Sequence, residues 1–181
     1  LVAVFSGNNG LWQSNENNLS RTYCSISTDN GKSWGKVTDI TDQVYGGVYG
    51  TNTRYGLFTG SGSGIQLKRG KHAGRLMLVV AARNDATWGG TMSNYAVYSD
   101  NGGITWQTSQ NAACTNGDEA KVVELTNGNI LMSIRNRAKG HRLFSFSTDG
   151  GETWSEPLLN KTILDPACNG DIIAYNHKGK N

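Results

Sequence analysis

Short apolar or alternating stretches separated by polar loops run along the whole chain, and this pattern predicts β-strands. The loops are rich in glycine and asparagine, which are typical turn formers. The run 75–82 is almost continuously apolar, which predicts a strand buried on both faces. No amphipathic helix is predicted, so the pattern indicates an all-β fold. The predicted strands are 1–6, 21–26, 36–40, 65–68, 75–82, 95–98, 119–125, 129–135, 143–146 and 172–175.

Three octapeptides share the pattern Ser-x-Asp/Asn-x-Gly-x-Ser/Thr-Trp, at 27–34, 99–106 and 147–154. Each one follows a predicted strand. The Asp or Asn can hold a tight turn by bonding nearby backbone groups, the Gly supplies an unusual backbone conformation, and the Trp can pack the turn onto the sheet. We therefore predict that these are fold residues on equivalent turns. The intervals leave room for four-stranded sheet units, which are typical of a propeller or an array.

Composition restricts the class of protein. The chain has 181 residues, which suits one domain or part of one. Its net charge of +3, from 17 basic and 14 acidic residues, is too small to indicate a nucleic-acid partner. We find neither a membrane-spanning apolar run nor a signal peptide. The segment 1–5 is a strand without an initiator Met, so we expect a fragment or a processed piece.

The cysteines and histidines indicate no metal site, because neither set has metal-ligand spacing. The glycine-rich stretch 60–64 is followed by neither Lys-Ser/Thr nor a helix start, so a phosphate loop is not predicted and we expect close backbone packing instead. No cofactor is predicted. The histidines, His72, His141 and His177, lie in different loops. Cys24 should be buried in a strand. Cys114 and Cys168 lie in loop-like segments, so a disulfide between them stays open.

The most informative chemistry lies on the hairpin 119–135, where Glu119 and Arg135 occupy the open end. If 126–128 is a three-residue turn with Gly128 in the left-handed conformation, Glu119 faces Arg135 on one side of the sheet. A two-residue turn would put Arg135 on the other face. The pair can be a strand-end salt bridge or a functional site, and spacing alone does not decide.

Two tryptophans, Trp12 and Trp88, stand in polar loops. They can stack on sugar faces or anchor their loops, and both interpretations stay open. Asp149 with Arg142 or Glu152 is interpreted as fold or surface rather than as an acid/base pair.

The octapeptides resemble the Asp boxes, or bacterial neuraminidase repeats, of the sialidase superfamily. Non-sialidase propellers also carry such boxes, so the more specific resemblance lies in other stretches. These cover nearly the whole chain in the family's order. They are 119–125 with Gly128 and 133–136, then 62–67 followed by 74–76, and 165–170.

This resemblance implies a six-bladed β-propeller of four-stranded antiparallel sheets, of which residues 1–181 form a central fragment and a single domain. It implies an exo-α-sialidase in which Glu119 is the base that deprotonates a tyrosine nucleophile, and Arg135 is one of three arginines on the sialic acid carboxylate. Sialidases use Tyr instead of the usual second carboxylate. The implied partners are sialylated glycoproteins, glycolipids and oligosaccharides, and the implied location is secreted, periplasmic or cell-surface.

Several family residues have no match in this sequence. No Arg-Ile-Pro motif is present, the acid/base aspartate cannot be placed in 1–26, and the nucleophilic tyrosine and the third arginine are expected beyond Asn181. Tyr175 falls on a predicted strand and is not assigned as the nucleophile. A non-catalytic Asp-box propeller that binds glycans or proteins is the alternative. Hydrolysis and transfer use the same residues, so both stay open.

Overall fold

Three successive antiparallel β-sheets make up the chain in the computed structural model, which describes residues 1–15, 17–46, 55–60 and 62–175. Within these ranges the helices are α1 (Thr41–Tyr45) and a 3-10 turn at Gly70–His72, and none is long and apolar enough to cross a membrane. The first sheet holds β1 (Val2–Asn8), β2 (Ser20–Ile26) and β3 (Thr38–Asp39). The second holds β4 (Leu57–Thr59), β5 (Ile65–Gln66), β6 (Leu76–Arg83), β7 (Met92–Ser99) and β8 (Gln107–Thr108). The third, in the order β12-β11-β10-β9, holds β9 (Gly117–Glu124), β10 (Ile130–Asn136), β11 (Gly140–Ser147) and β12 (Leu158–Asp165).

Apolar cores fill the spaces between neighbouring sheets. β6 contributes to both, with Val80 and Ala82 in the core shared with the first sheet, and Met77 and Val79 in the core shared with the third. The prediction that this strand is buried on both faces is confirmed. Burying a side chain of this size stabilises the fold by about 1.5–3 kcal/mol, so the two cores are the main term that holds the sheets together.

The octapeptides form one hydrogen-bond pattern at all three positions. The first Ser donates to the Asp or Asn Oδ1 at 2.8, 3.0 and 2.8 Å, and it accepts the backbone N–H of the Gly at 2.8, 2.9 and 2.8 Å. The same Oδ1 accepts the N–H of the Ser or Thr four residues later. The glycines have φ values of +84°, +95° and +90°. The prediction that these residues build turns is confirmed.

The three tryptophans of the octapeptides do not share one environment. Trp106 and Trp154 are only 4% and 6% exposed, and each indole Nε1 donates to the carbonyl of the Gly three residues earlier. Trp34 is 46% exposed, so it is not buried like the other two, although its turn makes the same hydrogen bonds. The buried pair lies in the cores against the preceding sheet. Trp34 belongs to the first described sheet, and no sheet of the described residues precedes it.

The first octapeptide gives a testable dependence of stability on pH. Hydrogen bonds from Ser33 and Ser27 lower the pKa of Asp29 to about 2. A depressed carboxyl pKa contributes stability that is present above the unfolded pKa of about 4 and is lost as pH falls through the folded value. We therefore expect Asp29→Asn to reduce the loss of stability between about pH 4 and about pH 2, because an amide does not titrate in this range. The turn should still form, since Asn101 makes the same backbone hydrogen bond with its amide oxygen. Urea midpoints measured across this range test it.

The reverse substitution, Asn101→Asp, is the matched control for that experiment. It should add pH dependence over the same range, since it creates a third carboxylate in the same hydrogen-bond pattern. If the urea midpoints of both variants change with pH as those of the unmodified protein do, the turn does not lower the pKa of its carboxyl group and the explanation is wrong.

Buried polar side chains join the second and third sheets. Arg75 donates to both carboxylate oxygens of Asp100 at 2.7 and 2.8 Å, to the Gly150 carbonyl at 2.9 Å and to Glu152 at 3.2 Å. Its guanidinium also lies 4.1 Å from the ring centroid of Tyr98. Because Asp100 belongs to the second octapeptide and Gly150 to the third, this arginine connects two successive turns. Arg75 itself is buried whereas Asp100 is half exposed, so solvent screens this ion pair and it contributes less than a fully buried one.

The glycines of 60–64 allow close backbone approach, as the sequence predicts. A Cβ on Gly62 would lie 2.4 Å from Lys121 Cε, and one on Gly64 would lie 2.5 Å from the Met77 carbonyl oxygen. Ser61 lies outside the described residues, as does 47–54. The glycines therefore let this segment lie against β6 and β9.

Several predicted elements differ in the structure. Residues 172–175 form no strand, because they have no partner strand among the described residues. The strand predicted at 36–40 shrinks to β3, whereas β12 and α1 were not predicted. The sheets have three, five and four strands rather than four each. All three cysteines are free, with Cys114 buried and Cys168 exposed, so the disulfide left open between them is not formed.

Candidate functional site

The hairpin of β9 and β10 is closed by the three-residue turn 126–128. Leu125 N donates to the Asn129 carbonyl at 2.8 Å, Gly128 N donates to the Leu125 carbonyl at 3.0 Å, and Gly128 has φ +85°. The prediction of a three-residue turn is confirmed and the two-residue alternative is wrong. The register runs from Ile130 opposite Glu124 to Ile134 opposite Ala120.

The ladder becomes irregular at the open end of the hairpin, between Ile134 and Asn136. Arg135 lies within this irregularity. Its Nη1 donates to Glu119 Oε2 at 2.5 Å, so the two predicted site residues are brought together on one side of the sheet. The contact therefore forms next to a break in the register rather than within a regular ladder.

A second carboxylate and a second arginine extend the pair. Asp118 Oδ2 lies 3.6 Å from Arg135 Nη1 and 3.2 Å from Arg137 Nη1. Burial raises the pKa of Asp118, although both arginines act in the opposite direction. The result is a chain of alternating charges from Glu119 through Arg135 and Asp118 to Arg137. Asp118 and Arg137 were not predicted. Their only signal in the sequence is that Asp118 is a charged residue next to Glu119 and Arg137 one that lies two positions after Arg135.

Solvent reaches this charge chain. The side chains of Glu119 and Arg135 are 23% and 28% exposed. The hydrogen bond to Glu119 raises the pKa of Arg135, which therefore stays charged. Its Nε is buried and has no hydrogen-bond partner among the described residues. The guanidinium as a whole is thus partly open to a ligand, whereas its Nε is shielded from solvent.

The segment 165–170 is held against the third sheet beside this site. Arg142 Nη1 donates to Asp165 Oδ2 at 3.2 Å and to the Cys168 carbonyl at 3.0 Å. Lys121, two residues after Glu119 on β9, is buried, and burial lowers its pKa. Its Nζ lies 3.4 Å from Asn169 Oδ1. The stretch that resembles a sialidase segment therefore packs next to the hairpin.

Glutamates of the same strand have different surroundings. Glu124 is buried and accepts the backbone N–H groups of Lys68 and Arg69 at 2.9 and 3.0 Å, which fixes the turn after β5. Each carboxylate also contacts an arginine, Glu124 that of Arg69 at 3.4 Å and Glu119 that of Arg135 at the open end. A guanidinium with spare donors can bind a carboxylate, and a partly exposed carboxylate can take a proton. An exposed ion pair alone contributes about 0–1 kcal/mol to stability.

Comparisons with known proteins agree on one family. A model described as "BNR repeat-like domain" matches residues 1–175. The sialidase of Micromonospora viridifaciens is 36% identical over 160 residues, which cover 86% of this chain and 23% of that protein. Mouse sialidase-3 is 31% identical over 170 residues, covering 87% and 39%. The structure of Trypanosoma rangeli sialidase superposes with a TM-score of 0.74 at 22% identity, covering 99% of this chain and 31% of that one.

The chain thus spans less than half the length of the relatives it matches. The superposition shows the fold, since three consecutive antiparallel sheets follow the corresponding part of a sialidase propeller. The predicted fold class, an all-β propeller fragment, is confirmed. This chain belongs to the BNR-repeat proteins of the sialidase superfamily.

Proposed function

We propose that residues 1–181 form part of the single catalytic propeller domain of an exo-α-sialidase, which releases terminal sialic acid from glycoconjugates. The observation that carries this proposal is the contact of Glu119 with Arg135 at a solvent-accessible strand end. The names of the relatives support the same activity. The three octapeptides do not contribute, because their polar side chains are used in turn formation.

Arg135 is proposed to bind the sialic acid carboxylate, because its planar guanidinium stays charged and can form paired hydrogen bonds with it. Glu119 is proposed to take the proton of a tyrosine nucleophile. Sialic acid carries a carboxylate on its anomeric carbon, which would repel an anionic nucleophile. A phenol is neutral until a base removes its proton, and sialidases use Tyr in this role. We assign neither the nucleophile nor the acid/base aspartate to this chain.

A non-catalytic propeller that binds glycans or proteins is the second candidate, and Asp boxes alone do not separate the two. The charge chain from Glu119 to Arg137 favours the enzyme, because turn formation and core packing require none of these groups. Sialylated glycoproteins, glycolipids and oligosaccharides are the proposed substrates. We also propose a secreted, periplasmic or cell-surface location, which rests on the family resemblance.

Activity of the complete domain on a fluorogenic sialoside tests the proposal. We expect turnover by the complete domain and none by the isolated 181-residue piece. The piece leaves apolar side chains such as Leu164 and Ile173 exposed, at 77% and 74%, where a closed propeller would cover them. If the complete domain binds sialyllactose without turning it over, the binding module is the better description. Turnover by the piece alone would contradict the proposed incompleteness of its site.

A further inference from the structure

A pair of tryptophan rings lies next to the charge chain. The ring centroids of Trp12 and Trp88 are 5.9 Å apart, with their planes inclined by 43°. Trp88 is 64% exposed. We propose that these rings, named here the tryptophan ledge, bind the neutral sugar to which the sialic acid is linked. This inference rests on the proposed function and adds a subsite for the leaving group.

The half of the ledge formed by Trp12 is held by a buried arginine. Arg83 Nη1 donates to the carbonyls of Leu11, Trp12 and Ser14, at 3.0, 3.0 and 3.2 Å. Its guanidinium also lies 5.7 Å from the centroid of Trp12. Three bonds from one side chain fix the loop, so the ring needs little ordering when a ligand binds.

The half formed by Trp88 is anchored at the next residue. Arg137 Nη2 donates to the Gly89 carbonyl at 3.1 Å, and Asp85 Oδ1 accepts the N–H of Thr87 at 2.7 Å. The exposed indole thus stands on a loop fixed on both sides of it. An exposed aromatic ring on a fixed loop offers a large contact surface at a low entropic cost.

Arg137 connects the ledge to the proposed carboxylate-binding residue. Its guanidinium lies 5.9 Å from the Trp12 centroid, and its Nη1 is 3.2 Å from Asp118 Oδ2. Asp118 in turn lies 3.6 Å from Arg135. The ledge is therefore connected to Arg135 through two ion pairs and the contact of Arg137 with Trp12.

The charges around the ledge indicate which ligand it takes. The Arg137 cation already has Asp118 as its counter-ion, so an anionic group at the ledge would compete with a formed pair. The exposed surface is an indole, which packs against apolar C–H groups and leaves hydroxyl groups to the solvent. A neutral pyranose has both kinds of group. We therefore assign the ledge to an uncharged hexose such as the galactose of sialyllactose, rather than to a phosphate or a second acidic sugar.

The test compares two substrates of the complete domain, α2,3-sialyllactose and α-sialosyl fluoride, which share the sialic acid but differ in the leaving group. We expect Trp88→Ala to lower kcat/KM for sialyllactose about tenfold relative to kcat/KM for sialosyl fluoride, which is the size of one aromatic stacking contact. Trp88→Phe should keep most of the ratio. Ile104→Ala is the control, because it removes an exposed apolar side chain from the turn of the second octapeptide and should leave the ratio unchanged.

A second measurement separates this inference from the proposed function. Lactose alone should shift the indole N–H resonance of Trp88 in an NMR titration, whether or not the domain turns over sialosides. An equal loss of kcat/KM for both substrates, or no shift with lactose, would overturn the subsite. Absence of turnover of sialosyl fluoride by the unmodified domain would contradict the proposed function, while the lactose titration would still decide on the ledge.

Discussion

Glu119→Gln should lower kcat of the complete domain by roughly 10²–10⁴, the usual contribution of a general base, with a much smaller change in KM. Glutamine has the length of glutamate, and its carbonyl oxygen can still accept the hydrogen bond that Arg135 Nη1 donates to Glu119. What it cannot do is take a proton from a nucleophile. Steady-state kinetics on a fluorogenic sialoside give both constants.

The same strand offers a matched control in Glu124→Gln. Glu124 is buried and bonded to the backbone of Lys68 and Arg69, so its neutralisation should lower the melting temperature and leave kcat of the folded protein intact. If Glu119→Gln instead behaves like Glu124→Gln, losing stability while kcat stays unchanged, then the Glu119 contact is a strand-end salt bridge.

Local chemistry is what made the hairpin predictable. Two residues set the turn 126–128. Gly128 adopts a φ of +85°, and Asn127 Oδ1 accepts the N–H of Asn129 at 3.0 Å. Once the turn length is known, extending the register by one position beyond Ile134 and Ala120 puts Arg135 opposite Glu119, and their side chains meet although the ladder is irregular there. The octapeptides were predictable for the same reason, because their hydrogen bonds join residues at most four positions apart.

Features that depend on neighbouring sheets could not be predicted this way. The exposure of Trp34 depends on which sheet lies against its turn, which the octapeptide does not encode. β12 is an edge strand with most side chains exposed, so it lacks the apolar pattern of a buried strand. The Asp118–Arg137 contact forms across the irregularity after Ile134, where strict alternation no longer gives the partners.

Arg135→Ala should raise KM of the complete domain about ten- to a hundredfold. The reason is that a carboxylate in a partly desolvated site loses a charge-assisted hydrogen bond, worth about 1.5–3 kcal/mol. The substitution also leaves Glu119 without its hydrogen-bonded cation, and the pKa of Asp118 should rise further, because Arg135 holds it down against burial. Binding of a sialic acid analogue by calorimetry measures the affinity directly, apart from any change in kcat.

Arg135→Lys distinguishes shape from charge at this position. An ammonium keeps the positive charge but cannot form the paired bonds of a planar guanidinium, so the variant should recover only part of the affinity. Arg21→Ala is the control, because it removes an exposed arginine that pairs with Asp39 on the first sheet and should change KM little. Full recovery by Arg135→Lys would mean that Arg135 acts as a point charge. An unchanged KM in Arg135→Ala would mean that the substrate carboxylate does not bind there, and the Glu119–Arg135 pair would then be a structural contact.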